Sequence, residues 1–261
     1  MIFLKTDEEV DLLRESNLIL GKALAEVAKA IRPGVTTAEL DKIAEEFIRD
    51  NGAEPSCKGY EGYPATLCCS VNEQVVHGIP SDKVYLKDGD IISVDTCVLK
   101  NGFHGDSAYT FPVGEVSDDV MRLLRTTKEC LYKGIEQAVV GRRIGDIGAT
   151  IQTHAERAGY QVVREFIGHG IGREMHEDPE VPNYGRRGNG VVLKSGMVIA
   201  IEPMVMSGRR NVIIENDGWT ARAADRKPAA HYELSVCVRQ GKADVLSTFD
   251  YIKEVLKERY I

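Results

Sequence analysis

The chain has 261 residues, 43% of them apolar, which is enough to bury a large core. Lysine and arginine total 33 against 40 acidic residues, and the formal balance of -7 excludes a general attraction for polyanions such as nucleic acid. No segment approaches the ~20 apolar residues that cross a bilayer, and the opening MIFLKTDEEVDLLRES turns acidic too soon for a secretory signal or a transit peptide.

The first predicted helix starts at Thr6, which forms a capping box with Glu9, keeps apolar residues at helical spacing through Leu24 and Val27, and stops at Pro33-Gly34. Thr36 and Glu39 repeat the box for a second helix, whose apolar face is Leu40, Ile43, Ala44 and Phe47 and whose exit is Asn51-Gly52. Residues 53–80 are rich in glycine, proline and small side chains, and ATLCCSV and QVVHGIP read there as short strands. Asp88-Gly89 then turns into DIISVDTCVL, Asn101-Gly102 turns back, and FHGDSAYTFPV returns, a strong hairpin signal. Apolar periodicity predicts two long helices, over about 118–140 and about 146–158. REFIGHGIG, VVLKSGMVIAIEPMV and HYELSVCV read as strands, NVIIENDGWTARAADRKPAA as a turn-rich connection between the last two, and DYIKEVLKERYI as a closing helix. Two helices and a hairpin are thus followed by two helices and a second strand pair, one structural unit used twice. With no low-complexity linker, the expectation is a single compact α+β domain over residues 1–261. The six cysteines (Cys57, Cys68, Cys69, Cys97, Cys130, Cys237) lack the CxxC pairing of a structural zinc site, and a disulfide framework is not expected in a chain this long, so the thiols point to a reducing, cytoplasmic compartment.

The hairpin carries an anomaly, because each arm has an aspartate where a half-buried strand prefers an apolar side chain. With a two-residue loop, Asp95 and Asp106 are directly opposed if the loop is Lys100-Asn101 and diagonal neighbours if it is Asn101-Gly102; either way they share a face. Like charges this close need a proton or a cation between them unless the face is solvated, and Ile92, Val94, Thr96, Cys97 and Val98 argue against a solvated strand. IGHGIGREMHEDP places His169 between glycines at the end of an apolar strand, with His176 seven residues on, and the glycines let something approach closely. Glu202 in VIAIEPMV and Glu233 in HYELSVCV interrupt apolar runs, positions where a glutamate is rarely tolerated unless paired or metal-bound. Four carboxylates and one imidazole on strands that can share a sheet have a common explanation in a dinuclear divalent site. Mostly oxygen ligands with one nitrogen suit manganese, iron, cobalt or zinc, and a pair of such ions about 3.5–4 Å apart suits hydrolysis.

The ordered set VDTCVLKNGFHGD, GHGIGREMHEDP, IAIEPM and YELSV, preceded by VNEQVVHGIP, closely resembles methionine aminopeptidase of type I, the short bacterial class, over essentially the whole chain. The resemblance implies a pita-bread fold, a curved antiparallel sheet backed by two helix pairs with pseudo-twofold symmetry. It implies removal of the N-terminal methionine from newly made polypeptides by dinuclear-metal hydrolysis. Asp95 is then a bidentate ligand of one ion, His169 and Glu202 are ligands of the other, and Asp106 and Glu233 bridge the two. Glu202 relays a proton to the leaving amine, His176 stabilises the developing oxyanion, and His77 contacts the scissile amide. Cys57, Tyr60, Tyr63 and Cys68 line the pocket for the methionine side chain, closed by His77 and Trp219, and Met175 stands where many relatives carry phenylalanine; soft and aromatic groups suit a thioether. A monovalent cation held by backbone carbonyls is a further implication, with Asn72 and Gln74 matching part of its loop. A peptide or nascent-chain substrate, transient ribosome contact and a monomeric state complete the expectation. Two rivals stand beside it. A proline-type aminopeptidase or dipeptidase of the same fold usually carries an extra amino-terminal domain and additional histidines, and a metal-free binding module typically loses ligands, whereas all five are present here.

Overall fold

The computed structural model covers residues 1–261. Its α-helices are α1 (Asp7–Ala30), α2 (Thr37–Asp50), α3 (Asp118–Ile135), α4 (Ile144–Arg157) and α5 (Asp250–Leu256). Both capping boxes form: the hydroxyls of Thr6 and Thr36 accept the N–H of Glu9 and Glu39, whose carboxylates accept the threonine N–H in return. Each box satisfies two backbone donors that a helix start otherwise leaves without partners. On α2, Leu40, Ala44 and Ile48 are buried, while Ile43 and Phe47 pack half-buried against the same core. α3 ends at Ile135, short of the periodic pattern, because the chain tightens there: Gln137 and Ala138 donate to the carbonyls of Gly134 and Ile135 only three residues back. No helix is long and apolar enough to cross a membrane.

The principal sheet has nine strands. Its order is Glu54–Pro55, Ile91–Lys100, Phe103–Pro112, Glu233–Cys237, Val198–Ile201, Gly168–Gly170, Glu177–Val181, with Cys68–Val71 added beside Ile91–Lys100 and Asp244–Val245 beside Glu233–Cys237. Every pairing is antiparallel. The hairpin of the first half and the strand pair of the second therefore meet at the centre, where Phe103–Pro112 pairs with Glu233–Cys237. α1 packs on the hairpin and α2 on α1, whereas α3 lies against the second strand pair with α4 beside it. A continuous buried core runs from Leu24 and Leu40 through Val94 and Tyr109 to Leu131 and Ile151, so both helix pairs bury their apolar stripes on the same side of the sheet.

Four features of the sequence reading need correction. The run VVLKSGMVIAIEPMV is not one strand. Val198–Ile201 belongs to the principal sheet and Met204–Met206 to a separate three-stranded sheet with Ala229–His231 and Gln161–Val162; Pro203, lacking an N–H, stands between them. HYELSVCV divides in the same way at Tyr232. The segment read as a turn-rich connection contains a hairpin, Val212–Ile214 with Ala221–Ala223, which pairs with Gln74–Val76. Ile213 and Ile214 both face solvent, so no buried side-chain alternation marked the first of these strands. Glu177–Val181, with its charged residues, also escaped the sequence reading as a strand.

Candidate metal centre

Lys100 pairs with Phe103, so the loop is Asn101-Gly102, with φ of 52° and 76° at its two central residues. This is the left-handed geometry a tight two-residue hairpin needs, and asparagine and glycine adopt it most readily. In this register Asp95 opposes Ala108 and Asp106 opposes Cys97, making the two aspartates diagonal neighbours on one face. Ala108 is paired on its other side with Glu233, which brings a third carboxylate to the same place. Ile201 pairs with Leu234, and Glu202 follows just before the break at Pro203. The fourth carboxylate is thus set by a strand ending.

His169 reaches the cluster from Gly168–Gly170. Its Nε2 lies 3.7 Å from Asp106 Oδ2 and 3.6 Å from Glu202 Oε1, and single ligand atoms of Asp106, His169 and Glu233 all lie within 4.8 Å of one another. His169 Nδ1 is 2.9 Å from the Gly170 carbonyl oxygen; since a carbonyl only accepts, Nδ1 carries the hydrogen and the Nε2 lone pair is free for a cation. The flanking glycines do admit a close approach, and what approaches them is backbone. A Cβ on Gly168 would sit 2.4 Å from the Ala200 carbonyl oxygen and one on Gly170 2.2 Å from that of Asp178, so the glycines make room for neighbouring backbone rather than for a ligand.

The electrostatics of the cluster match a cation. Asp106 and Glu233 are only 4% and 2% exposed, and each has one carboxylate oxygen with no hydrogen-bond partner. Burial, reinforced by repulsion from Asp106, pushes Asp95, Glu202 and Glu233 well above the usual carboxylate range, and burial raises Asp106 to about 7. The same burial, with His176 nearby, pushes His169 down to about 4, which leaves the imidazole neutral and able to ligate. Four crowded carboxyl groups, those of Asp106 and Glu233 each with an orphaned oxygen, beside a free imidazole lone pair form a poor hydrogen-bond network and a suitable nest for divalent metal.

Above the cluster lies a cavity of about 340 Å³. The thirteen residues given metal, catalytic or pocket roles from the sequence all line it, Asp95, Asp106, His169, Glu202 and Glu233 with Cys57, Tyr60, Tyr63, Cys68, His77, Met175, His176 and Trp219, whereas Asn72 and Gln74 do not. Tyr63 is buried, its hydroxyl directed at the carbonyls of Leu67 and Gly78 at 3.0 Å each, so it offers the cavity its ring; Trp219 meets that ring edge-on at 5.1 Å. His77 takes a left-handed backbone, φ 60°, unusual for a residue with a Cβ, and stands between the rings of Phe166 at 5.2 Å and Trp219 at 6.3 Å. His176 is exposed at the mouth, its Nδ1 2.9 Å from the Tyr60 hydroxyl. The sequence reading assigned no part to Phe166, Ile167 or Cys97, which also line the cavity. Phe166, three residues before the histidine in REFIGHGIG, was the most legible of them. The Gln74 side chain accepts the Val71 N–H within its own loop, the Asn72 side chain reaches the start of the hairpin strand, donating to the Asp90 carboxylate and accepting the Ile91 N–H, and the Asn72 carbonyl accepts from Ala229.

Comparison with known proteins agrees with this geometry. Residues 11–239 match metallopeptidase family M24. A methionine aminopeptidase of Clostridium perfringens is 52% identical over 247 residues, 95% of this chain and 99% of that one, and methionine aminopeptidase 1 of Bacillus subtilis is 49% identical over the same shares. The crystal structure of methionine aminopeptidase from Thermotoga maritima superposes with a TM-score of 0.94 at 42% identity, covering 95% of this chain and 100% of that one. The helix pairs and antiparallel sheet described above are accordingly a pita-bread fold, and the chain belongs to metallopeptidase family M24, within its methionine aminopeptidases.

Proposed function

We propose that the chain removes the N-terminal methionine from peptides and newly made polypeptides, with Asp95, Asp106, His169, Glu202 and Glu233 holding two divalent ions of the manganese, iron, cobalt or zinc type. The observation that carries this reading is the convergence of orphaned carboxylate oxygens and one neutral imidazole on the floor of a cavity walled by sulfur and aromatic groups. When bound, the ions supply Lewis-acid polarisation of the scissile carbonyl and activate water at neutral pH. Glu202, buried at a strand end, accepts the proton released on attack and passes it to the leaving amine. With Tyr60 donating to His176 Nδ1, the His176 Nε2–H donates to the developing oxyanion. His77, whose pKa burial and His176 lower to about 4, stays neutral and contacts the scissile amide. Cys57, Cys68, Tyr63, Met175 and Trp219 enclose the thioether, with sulfur to ring contacts worth about 0.3–1.5 kcal/mol each.

Release of methionine from Met-Ala-Ser, measured beside cleavage of an X-Pro peptide and metal analysis of the purified protein, tests the reading. Preferential X-Pro cleavage would transfer the site to the proline-type rival. Absence of transition metal together with no turnover on adding manganese or cobalt would leave a binding module. Replacement His77→Ala lowers turnover by about 10–100-fold while metal content stays near that of the parent, because His77 touches substrate and not the ions; loss of metal in this variant would contradict its placement. The same proposal extends to one catalytic domain over residues 1–261, supported by the continuous core, and to a cytoplasmic location, with which six free cysteines accord. A monomeric state, transient ribosome contact and a monovalent cation near Asn72 and Gln74 come from family resemblance alone.

A further inference from the structure

Behind Glu202 lies an imidazole with no part in the roles above. His231 ends the Ala229–His231 strand, 1% exposed, and neither of its ring nitrogens has a hydrogen-bond partner. Its Nε2 lies 3.8 Å from Glu202 Oε2, while His169 Nε2 lies 3.6 Å from Glu202 Oε1. The carboxylate is thus flanked by two imidazoles, one for each oxygen.

The backbone holds this imidazole in place. The His231 N–H donates to Thr110 Oγ1 at 2.9 Å, and the Thr110 hydroxyl donates back to the His231 carbonyl at 2.7 Å. Since the Thr110 hydrogen is used there, Ser93 is the donor in the 2.8 Å contact between the two hydroxyls, and the clamp is tied to the strand bearing Asp95. Pairing with Met204 secures the other side. A strand secured on both edges does not retreat, and a buried ring with two orphaned nitrogens is costly unless it finds a partner. Glu202 Oε2, 3.8 Å from Nε2, is an acceptor that a small side-chain adjustment brings into hydrogen-bond range.

We propose that His231 is a positioning residue for Glu202, its neutral ring donating Nε2–H to Oε2 and so holding Oε1 toward the metal site. Fixing one oxygen selects which lone pairs face the ions and which oxygen handles the proton, the service that a partner behind a ligand generally performs. The inference rests on the assignment of Glu202 to the metal site and deepens it.

Three full-length variants test it. Glutamine at this position places an amide nitrogen near the site of Nε2, asparagine reaches only as far as Nδ1, and leucine offers no donor. Titration of the metal-stripped chains with Mn(II) in a calorimeter should show affinity reduced by about 10–100-fold in His231→Leu and His231→Asn, and close to the parent in His231→Gln. With the Mn(II)-loaded proteins, kcat for Met-Ala-Ser should fall in the same order and KM should hold. Parent-like Mn(II) affinity and kcat in both His231→Leu and His231→Asn would overturn the proposal. So would a His231→Gln variant as impaired as His231→Leu, which would mark the ring as packing alone. Should His231→Leu fail to fold, the contrast between glutamine and asparagine still decides. Failure of the underlying assignment is distinct, because the parent chain itself would then bind no Mn(II) and release no methionine.

Discussion

Asp106→Asn and Glu233→Gln should each abolish methionine release and empty the centre of metal, while making the metal-free protein harder to melt. Asp106 and Glu233 are nearly inaccessible, and each keeps one oxygen without a partner in a cavity that Asp95, His169 and Glu202 also line. Converting either to an amide sets an NH2 group, with its partial positive charge, in the place reserved for cations. Divalent ions bound there would contribute several kcal/mol of charge stabilisation in the transition state. At about 1.36 kcal/mol per tenfold, losing ~4 kcal/mol of that lowers the rate by about 10³-fold. Stability moves the other way in the stripped protein. Burial and repulsion hold the carboxyl groups of this cluster well above their ordinary range, so removing one acid relieves the others. The rise in melting temperature that Mn(II) produces in the parent, by binding the folded state, should vanish in both variants. Metal content by elemental analysis, kcat/KM on Met-Ala-Ser and paired thermal melts with and without Mn(II) check all three statements. A variant that keeps both its metal and its turnover would remove that residue from the ligand set.

Gly170→Ala should damage the protein through backbone geometry, without touching a ligand atom. The added methyl carbon would lie 2.2 Å from the Asp178 carbonyl oxygen and 2.7 Å from its carbon, both in the backbone of the paired strand, which cannot swing aside as a flexible side chain would. Forcing such an overlap costs about 1–3 kcal/mol, and for a chain of this size each kcal/mol lowers the melting temperature by about 2–4 °C. The damage reaches the chemistry because the Gly170 carbonyl fixes the tautomer of His169. Melting of the metal-free protein and Mn(II) titration of the same sample should therefore both shift. An unchanged melting temperature would show that the strands separate easily here and that the glycine is dispensable.

Local features were legible in the sequence because their causes are local. The capping boxes at Thr6 and Thr36 involve residues three apart, and the Asn101-Gly102 turn needs only two residues that tolerate positive φ. Carboxylates in apolar strands pointed to a metal site, since burying like charges without a cation is unfavourable whatever the fold. Residues 212–214 gave no such signal, because a strand with exposed isoleucines is held by backbone pairing and carries no buried alternation.

What the sequence by itself determined was therefore the chemistry: which side chains are unaffordable unless they meet a cation, and where helices begin and the hairpin turns. Only the tertiary structure decided the geometry. It chose the diagonal register of Asp95 and Asp106, broke a strand at Pro203 so that Glu202 stands at its end, showed that backbone is what crowds Gly168 and Gly170, and brought His231 behind Glu202 from a strand 29 residues further along. Those outcomes depend on contacts between segments far apart in the chain, and the free energy that selects them comes from packing and pairing that no local window contains.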